Sequence, residues 1–101
     1  MIVKKHVSQD GQMILSICDS ELIGKTFEEG DKWLDLTSKF YRGTEMSESE
    51  ILSILPNAHS VNMVGTKTID FAIKHKLILK SHVLYVQKVP YAICVFDERA
   101  K

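Results

Sequence analysis

A β-hairpin is encoded at the start of the chain. Residues 2–8 and 12–18 are two runs rich in β-branched and other apolar side chains, and Asp10-Gly11 lies between them. An Asp-Gly pair suits the two positive-φ positions of a type I′ turn, which joins neighbouring antiparallel strands. We therefore predict a hairpin here and an antiparallel sheet in the fold.

A capping box predicts the first main helix. Ser47 and Glu50 stand three residues apart ahead of an apolar stripe, so each side chain can accept a hydrogen bond from the backbone N–H of the other residue. Pro56 cannot continue a helix. We therefore place this helix at residues 48–55.

The second half of the chain adds strands and another helix. Residues 60–64 form a strand-type run, and a second helix is expected to begin at Gly65-Thr66. Residues 82–88 and 91–96 are predicted to pair across a turn at Val89-Pro90, and both faces of the second strand are apolar, which is typical of a central strand.

Two weaker signals complete the pattern. Asp19 precedes a short helical turn that Gly24 can close, and residues 33–36 read as a short strand. Together the elements predict a single α+β domain over residues 1–101. Its architecture would be a two-layer sandwich, with a mostly antiparallel sheet of about five strands, two main helices and a short helical turn.

The composition excludes several classes of protein. The 101 residues contain 13 Lys and Arg against 13 Asp and Glu, so the chain lacks the basic excess of a dedicated nucleic-acid binder. An apolar fraction of 45% argues against intrinsic disorder. The longest apolar run, residues 91–96, is far shorter than the roughly 18 residues of a membrane span, and residues 1–6 lack the order of a secretory signal. We therefore expect a cytoplasmic protein with reduced cysteines and no membrane partner.

Charge is divided along the chain. Residues 19–50 carry nine acids against four bases, and residues 51–101 carry seven bases against three acids. Such asymmetry is typical of a polarised surface that meets a charged partner, whereas interleaving of the two halves would give an ordinary mixed surface. The sequence leaves both interpretations open.

The start of the second helix is the main candidate binding site. Gly65, Thr66, Lys67 and Thr68 follow a strand, so their backbone N–H groups would stand unpaired at the positive end of the helix dipole. Lys67 adds a cation, and this combination predicts binding of an anion such as an RNA phosphate. The alternative is that Thr66 simply caps the helix and Lys67 pairs with Asp70.

Two further cations are assigned to the same hypothesis. Lys25 and Arg42 are expected to contact RNA, and Tyr41 offers a ring on which a base can stack. Gly24-Lys25-Thr26 resembles the end of a phosphate-binding loop, but Asp19 stands where that motif needs glycine. The chain is therefore not predicted to contain a nucleotide-binding loop.

Metal and catalytic chemistry have little support in the sequence. The cysteines and histidines lack the spacing of zinc ligands, so we predict neither a metal nor a cofactor. Cys18 at the end of a strand could act as a nucleophile with His6 or His82 as its base. The alternative is that Cys18 and Cys94 are small apolar residues of the core.

Three segments resemble a known family. They are Ile17-Cys18-Asp19-Ser20-Glu21-Leu22-Ile23-Gly24-Lys25-Thr26-Phe27-Glu28-Glu29-Gly30, Phe40-Tyr41-Arg42-Gly43, and Asn62-Met63-Val64-Gly65 before a helix over residues 66–78. Over nearly the whole chain they are similar to the archaeal family called domain of unknown function 424. The resemblance implies a small α+β domain associated with the translation machinery, and it supplies no activity, cofactor or catalytic residue. One departure is Tyr91, which stands where the family pattern is expected to have histidine.

These observations favour a non-enzymatic binding domain for RNA or a ribonucleoprotein. The first alternative is a protein-interaction module that uses the acidic, aromatic segment at residues 27–41. The second is a small hydrolase or transferase built around Cys18, Asp19 and a histidine. The sequence leaves the oligomeric state open.

Overall fold

One large sheet organises the molecule, and the computed structural model describes it over residues 1–96. In chain order the elements are β1 (Ile2–Val7), β2 (Met13–Cys18), β3 (Thr26–Glu29), β4 (Lys32–Asp35), β5 (Thr44–Glu45), α1 (Glu48–Ile54), β6 (Ser60–Val64), α2 (Thr66–Lys74), β7 (Leu84–Val86) and β8 (Val89–Val95). The large sheet has the order β5-β1-β2-β6-β8-β7, and β3 pairs with β4 in a separate sheet. Only the β2–β6 pair is parallel among the strands of this described region.

The α+β class and the mostly antiparallel sheet are therefore confirmed. The large sheet has six strands rather than about five. Two short strands, β3 in the separate sheet and β5 in the large sheet, were not predicted, because β3 holds one apolar residue, Phe27, and β5 spans only two residues. Neither gives an alternating pattern. The single domain over residues 1–101 stays a prediction. Four charged residues that were counted in the charge analysis lie outside the described residues: Asp97, Glu98, Arg99 and Lys101.

The N-terminal hairpin forms as predicted, but its turn differs. Ser8 pairs with Gln12 through a hydrogen bond of 2.9 Å from Ser8 N to Gln12 O. Three residues therefore close the loop, and of these only Gly11 has a positive φ, at 83°. This pattern is typical of a type I turn followed by one left-handed residue, so the predicted two-residue type I′ turn is wrong.

The C-terminal hairpin also turns at another place than predicted. Val86 pairs with Val89, and the intervening Gln87 and Lys88 have φ values of 47° and 68°. Both turn residues have a left-handed backbone conformation although neither is glycine. The usual glycine signal for a turn is therefore missing here, and the sequence pointed instead to Pro90. Pro90 lies inside β8 and has no N–H to donate. The loss costs little, because beside Pro90 strand β6 has already ended and α2 is about to begin.

Both helices begin where predicted. The capping box of Ser47 and Glu50 is present, and α1 ends one residue early in a 3₁₀ turn that contains Pro56. The family resemblance implied a second helix over residues 66–78, but α2 ends at Lys74. Lys76 adopts φ 60°, and hydrogen bonds from the N–H groups of residues 76 and 77 return to the last turn. This is a Schellman motif with lysine at the position that glycine usually takes.

The core has two parts, one on each face of the sheet. The helix face carries the larger part, whose buried members include Leu15, Ile17, Ile51, Val61, Met63, Ile69 and Phe71. On the opposite face Cys18, Leu36 and Val64 are buried beneath the β3–β4 hairpin and its flanking turns. The hairpin thus adds a partial third layer. Among residues 1–96, neither helix has the length and the run of apolar residues that crossing a bilayer requires.

The capping box yields a first prediction. Ser47→Ala should lower the free energy of unfolding by about 1 kcal/mol, because the N–H of Glu50 loses its acceptor. Ser53→Ala is the matched control: Ser53 bonds only to the carbonyl of Glu50 inside the helix, and its loss should change stability by less than about 0.5 kcal/mol. Urea unfolding of both variants measures the difference, and equal effects would contradict a capping role.

Candidate functional site

Asp19 occupies the start of α2. Strands β2 and β6 are parallel neighbours, with Cys18 opposite Val64, so the carboxyl ends of both strands meet at one edge. Asp19 follows β2 there, and its backbone N–H donates to the carbonyl of Val64 at 3.1 Å. Its side chain therefore faces the first turn of α2, which follows β6 directly.

The carboxylate of Asp19 accepts three hydrogen bonds from that turn. The backbone N–H groups of Lys67 and Thr68 donate to it at 3.0 and 2.8 Å, and the hydroxyl of Thr68 donates at 2.7 Å. Asp19 and Thr68 are both buried. A carboxylate at a helix N-terminus satisfies orphan donors and the helix dipole together. Asp19 is thus the N-terminal cap of α2, supplied from a distant part of the chain.

The predicted anion site is therefore already filled. We expected free N–H groups around Gly65 to Thr68. That premise is wrong for Lys67 and Thr68, which donate to Asp19, and for Gly65, which donates to the carbonyl of Pro90. Thr66 is not the cap either, because the N-cap residue is Gly65, at φ 110°. A Cβ atom at Gly65 would lie 2.3 Å from Cγ of Asp19, so only glycine leaves room for the carboxylate.

The cations of the predicted site are dispersed. The ammonium of Lys67 pairs with Glu21 at 3.6 Å rather than with Asp70. Arg42 lines a depression of about 340 Å³ with Ser20 and other residues, and Lys25 lies exposed in the turn after β2. Within residues 1–96, no hydrogen bond or ion pair links the side chain of Lys25 or Arg42 to the start of α2. RNA binding by these residues stays a prediction.

Cys18 lies in an environment that opposes nucleophilic chemistry. Its thiol is fully buried and donates to the carbonyl of Asp19 at 3.4 Å. Burial, followed by the negative charges of Asp19 and Glu21, raises the pKa of the Cys18 thiol to about 12. A nucleophilic cysteine needs the opposite shift, because the thiolate is the reactive form.

The predicted bases are engaged elsewhere or exposed. The ring of His6 stacks on Phe40 with centroids 4.2 Å apart, and its Nε2 lies 3.0 Å from the carbonyl of Phe40. His82 lies in an exposed 3₁₀ turn before β7. In the described part of the chain, no three His, Cys, Asp or Glu side chains converge in a way that would hold a metal ion.

An uncovered area remains on the face opposite the helices. Phe40 covers one part of this face, where the hydroxyl of Ser16 donates to its carbonyl at 2.7 Å. Beyond it the sheet is open. We define the open sheet surface by residues that lie in register on β2, β6 and β8: Ile14, Ser60, Asn62, Ile93 and Val95.

Two apolar side chains dominate the open sheet surface. Ile93 is 65% exposed and Val95 60% exposed, and they stand two positions apart on the same face of β8. Sequence reasoning missed them because the uninterrupted apolar run over residues 91–96 predicted a strand buried on both faces. Buried Ala92 faces the helices and exposed Ile93 faces the other side, because successive side chains of a strand point to opposite faces, and the covering hairpin reaches only as far as Tyr91 on that second face.

The segment predicted as an interaction site mostly serves the core. Phe27, Leu34, Leu36 and Tyr41 pack into the second core under β3 and β4. Trp33 is the exception, since its side chain is 62% exposed on the outer face of β4. Use of this segment to bind a protein partner stays a prediction.

Comparison with known proteins identifies the family. A family model described as "Protein of unknown function (DUF424)" matches residues 6–96. The chain belongs to this family. A crystal structure of an uncharacterized conserved protein from Methanopyrus kandleri is similar in fold, with a TM-score of 0.76 and 18% sequence identity. The match covers 96% of this chain and 93% of that one, whereas a search of curated proteins found no match.

Removal of the Asp19 cap should be costly. Asp19→Ala removes the acceptor of three hydrogen bonds at a buried position, so the free energy of unfolding should fall by about 2–4 kcal/mol. Asp19→Asn retains one acceptor oxygen and should lose less. Glu21→Gln, an exposed neighbour, should change stability by under about 0.5 kcal/mol. Urea unfolding measures all three, and a neutral Asp19→Ala would show that α2 does not depend on this cap.

Thiol alkylation tests the catalytic alternative. With a pKa near 12, Cys18 should form roughly a thousandfold less thiolate at pH 8 than an ordinary cysteine. Iodoacetamide should therefore leave Cys18 unmodified in the folded protein and label it after unfolding in urea, as read by mass spectrometry. Rapid labelling of folded protein at pH 7 would instead support a reactive nucleophile.

Proposed function

We propose that the protein is a non-enzymatic interaction domain that binds a protein partner on the open sheet surface. The exposure of Ile93 and Val95, two positions apart on one strand of a partly covered sheet face, carries this proposal. Single exposed apolar residues are common on soluble proteins, whereas adjacent ones on a flat sheet offer a contiguous area for burial.

The energetics favour a partner with an apolar surface. Full burial of an Ile or Val side chain is worth about 1.5–3 kcal/mol. The residues that define the open sheet surface carry no formal charge. Binding there should therefore persist at high salt, since screening weakens contacts between exposed charges and leaves apolar contacts intact.

RNA is less well supported as the partner. A phosphate at the start of α2 would meet the carboxylates of Asp19 and Glu21, and Lys67 is already paired with Glu21. The second described ion pair on α2, between Lys74 and Glu48 at 3.4 Å, further reduces the free positive charge of this helix. RNA or ribonucleoprotein binding linked to translation is thus the alternative that the experiment must separate.

Site-specific photocrosslinking in native cells tests the proposal. A photoreactive amino acid at position 93 should give a protein adduct that resists ribonuclease and high salt. Position 52 is the matched control, because Leu52 is an exposed apolar residue on α1, away from the open sheet surface. No adduct from position 93 above this control would contradict the proposal. Adducts from a probe at position 67 that ribonuclease removes would support the RNA alternative.

A further inference from the structure

The backbone of β8 has an open edge beside the open sheet surface. Gly65 N donates to the carbonyl of Pro90, and Phe96 N donates to the carbonyl of His59, both at 2.8 Å. The backbone groups at positions 90 and 96 therefore point towards β6. Since hydrogen-bonding direction alternates along an antiparallel strand, Ile93 and Val95 direct their N–H and C=O groups away from β6.

The neighbouring strand does not reach these two residues. β7 has three residues, and its pairing with β8 stops at Leu84 opposite Tyr91. In the region spanning residues 1–96, no strand pairs with Ile93 or Val95 on the side away from β6. The described residues from Ile93 to Phe96 also carry none of the charges or prolines that usually protect a sheet edge.

We infer that this edge pairs with the same edge of a second copy of the chain. The two β8 strands run antiparallel about a two-fold axis at Cys94, so that Ile93 of each copy lies opposite Val95 of the other. The inference rests on the proposed function, because the contact again uses Ile93 and Val95, and it places a second copy of the chain at the strand edge that borders the open sheet surface.

Geometry favours this register over its neighbours. A shift by one residue would place backbone groups that point towards the other copy opposite groups that point back towards β6. No hydrogen bonds would then form between the copies. Placing Ile93 opposite Ile93 would bring Val95 against Tyr91, whose outer side β7 already occupies. With Ile93 opposite Val95, both outward residues of each copy exchange their N–H and C=O groups, which gives four hydrogen bonds between the copies.

The same register joins the apolar side chains. Ile93 and Val95 lie on one face, so two cross-strand Ile-Val pairs form a continuous row across the two-fold axis. The strands carry no charge in this stretch, so no like charges are opposed. The paired segment is short, so we expect an interface smaller than the roughly 1,200 Å² that stable complexes bury. The dimer should therefore be weak and dependent on concentration.

Sedimentation equilibrium of the full chain tests the dimer. The apparent mass should rise from the monomer value of 11.5 kDa towards twice that value as concentration increases. Val95→Lys should weaken association at least tenfold, because two lysines would enter the apolar row. Val7→Lys is the control, since Val7 is an exposed apolar residue on β1 and its replacement should leave association unchanged. A protein that stays monomeric at millimolar concentration would overturn the inference.

Amide hydrogen exchange separates edge pairing from face stacking. Exchange of the Ile93 and Val95 amides should slow at least fivefold between dilute and concentrated protein, with no such change in Val95→Lys. A dimer that leaves both amides unprotected would overturn the inference. So would a crosslink from position 93 to a different protein, although that result would still support the proposed function. An adduct of twice the monomer mass supports both, and absence of any adduct contradicts the proposed function.

Discussion

The carboxylate of Asp19 joins the two halves of the fold. Asp19 follows the end of β2, and its carboxylate accepts hydrogen bonds from two backbone N–H groups and one hydroxyl in the first turn of α2. The parallel pairing of β2 with β6 makes this contact possible, because it brings the carboxyl end of β2 beside the loop that enters the helix. Burial raises the pKa of the Cys18 thiol and the negative charge of Asp19 adds to that rise, while the carboxylate also fills the position that a bound anion would take. One side chain thus opposes two of the functions that the sequence had suggested.

Local features of the structure could be predicted from the sequence, whereas long-range ones could not. The capping box at Ser47, the strand at residues 60–64 and the start of α2 each depend on neighbouring residues. The Asp19 cap joins residues 48 positions apart, so a local pattern indicated only an acid before a helical turn. The turn at Gln87 and Lys88 was missed for a different reason, because residues other than glycine take its left-handed positions.

The candidate interaction surface could not be predicted from the sequence either, because its exposure also depends on long-range packing. An apolar run such as residues 91–96 is compatible with burial on both faces, and only the size of the covering layer decides the outcome. Here the β3–β4 hairpin has four residues in each strand and covers one end of the sheet. Ile93 and Val95 lie beyond it. The family match and the similar archaeal fold indicate how the chain folds, and the exposed surface is where we propose that a partner binds.

The close approach of Gly65 to Asp19 couples two positions that lie far apart along the chain. Any side chain at position 65 would displace the carboxylate, so the helix would already have lost its cap before Asp19 itself was altered. The energetic effects of changes at the two positions should consequently overlap rather than add. Among related sequences, we expect residues other than glycine at position 65 to occur together with replacement of the aspartate, so the two positions should vary together.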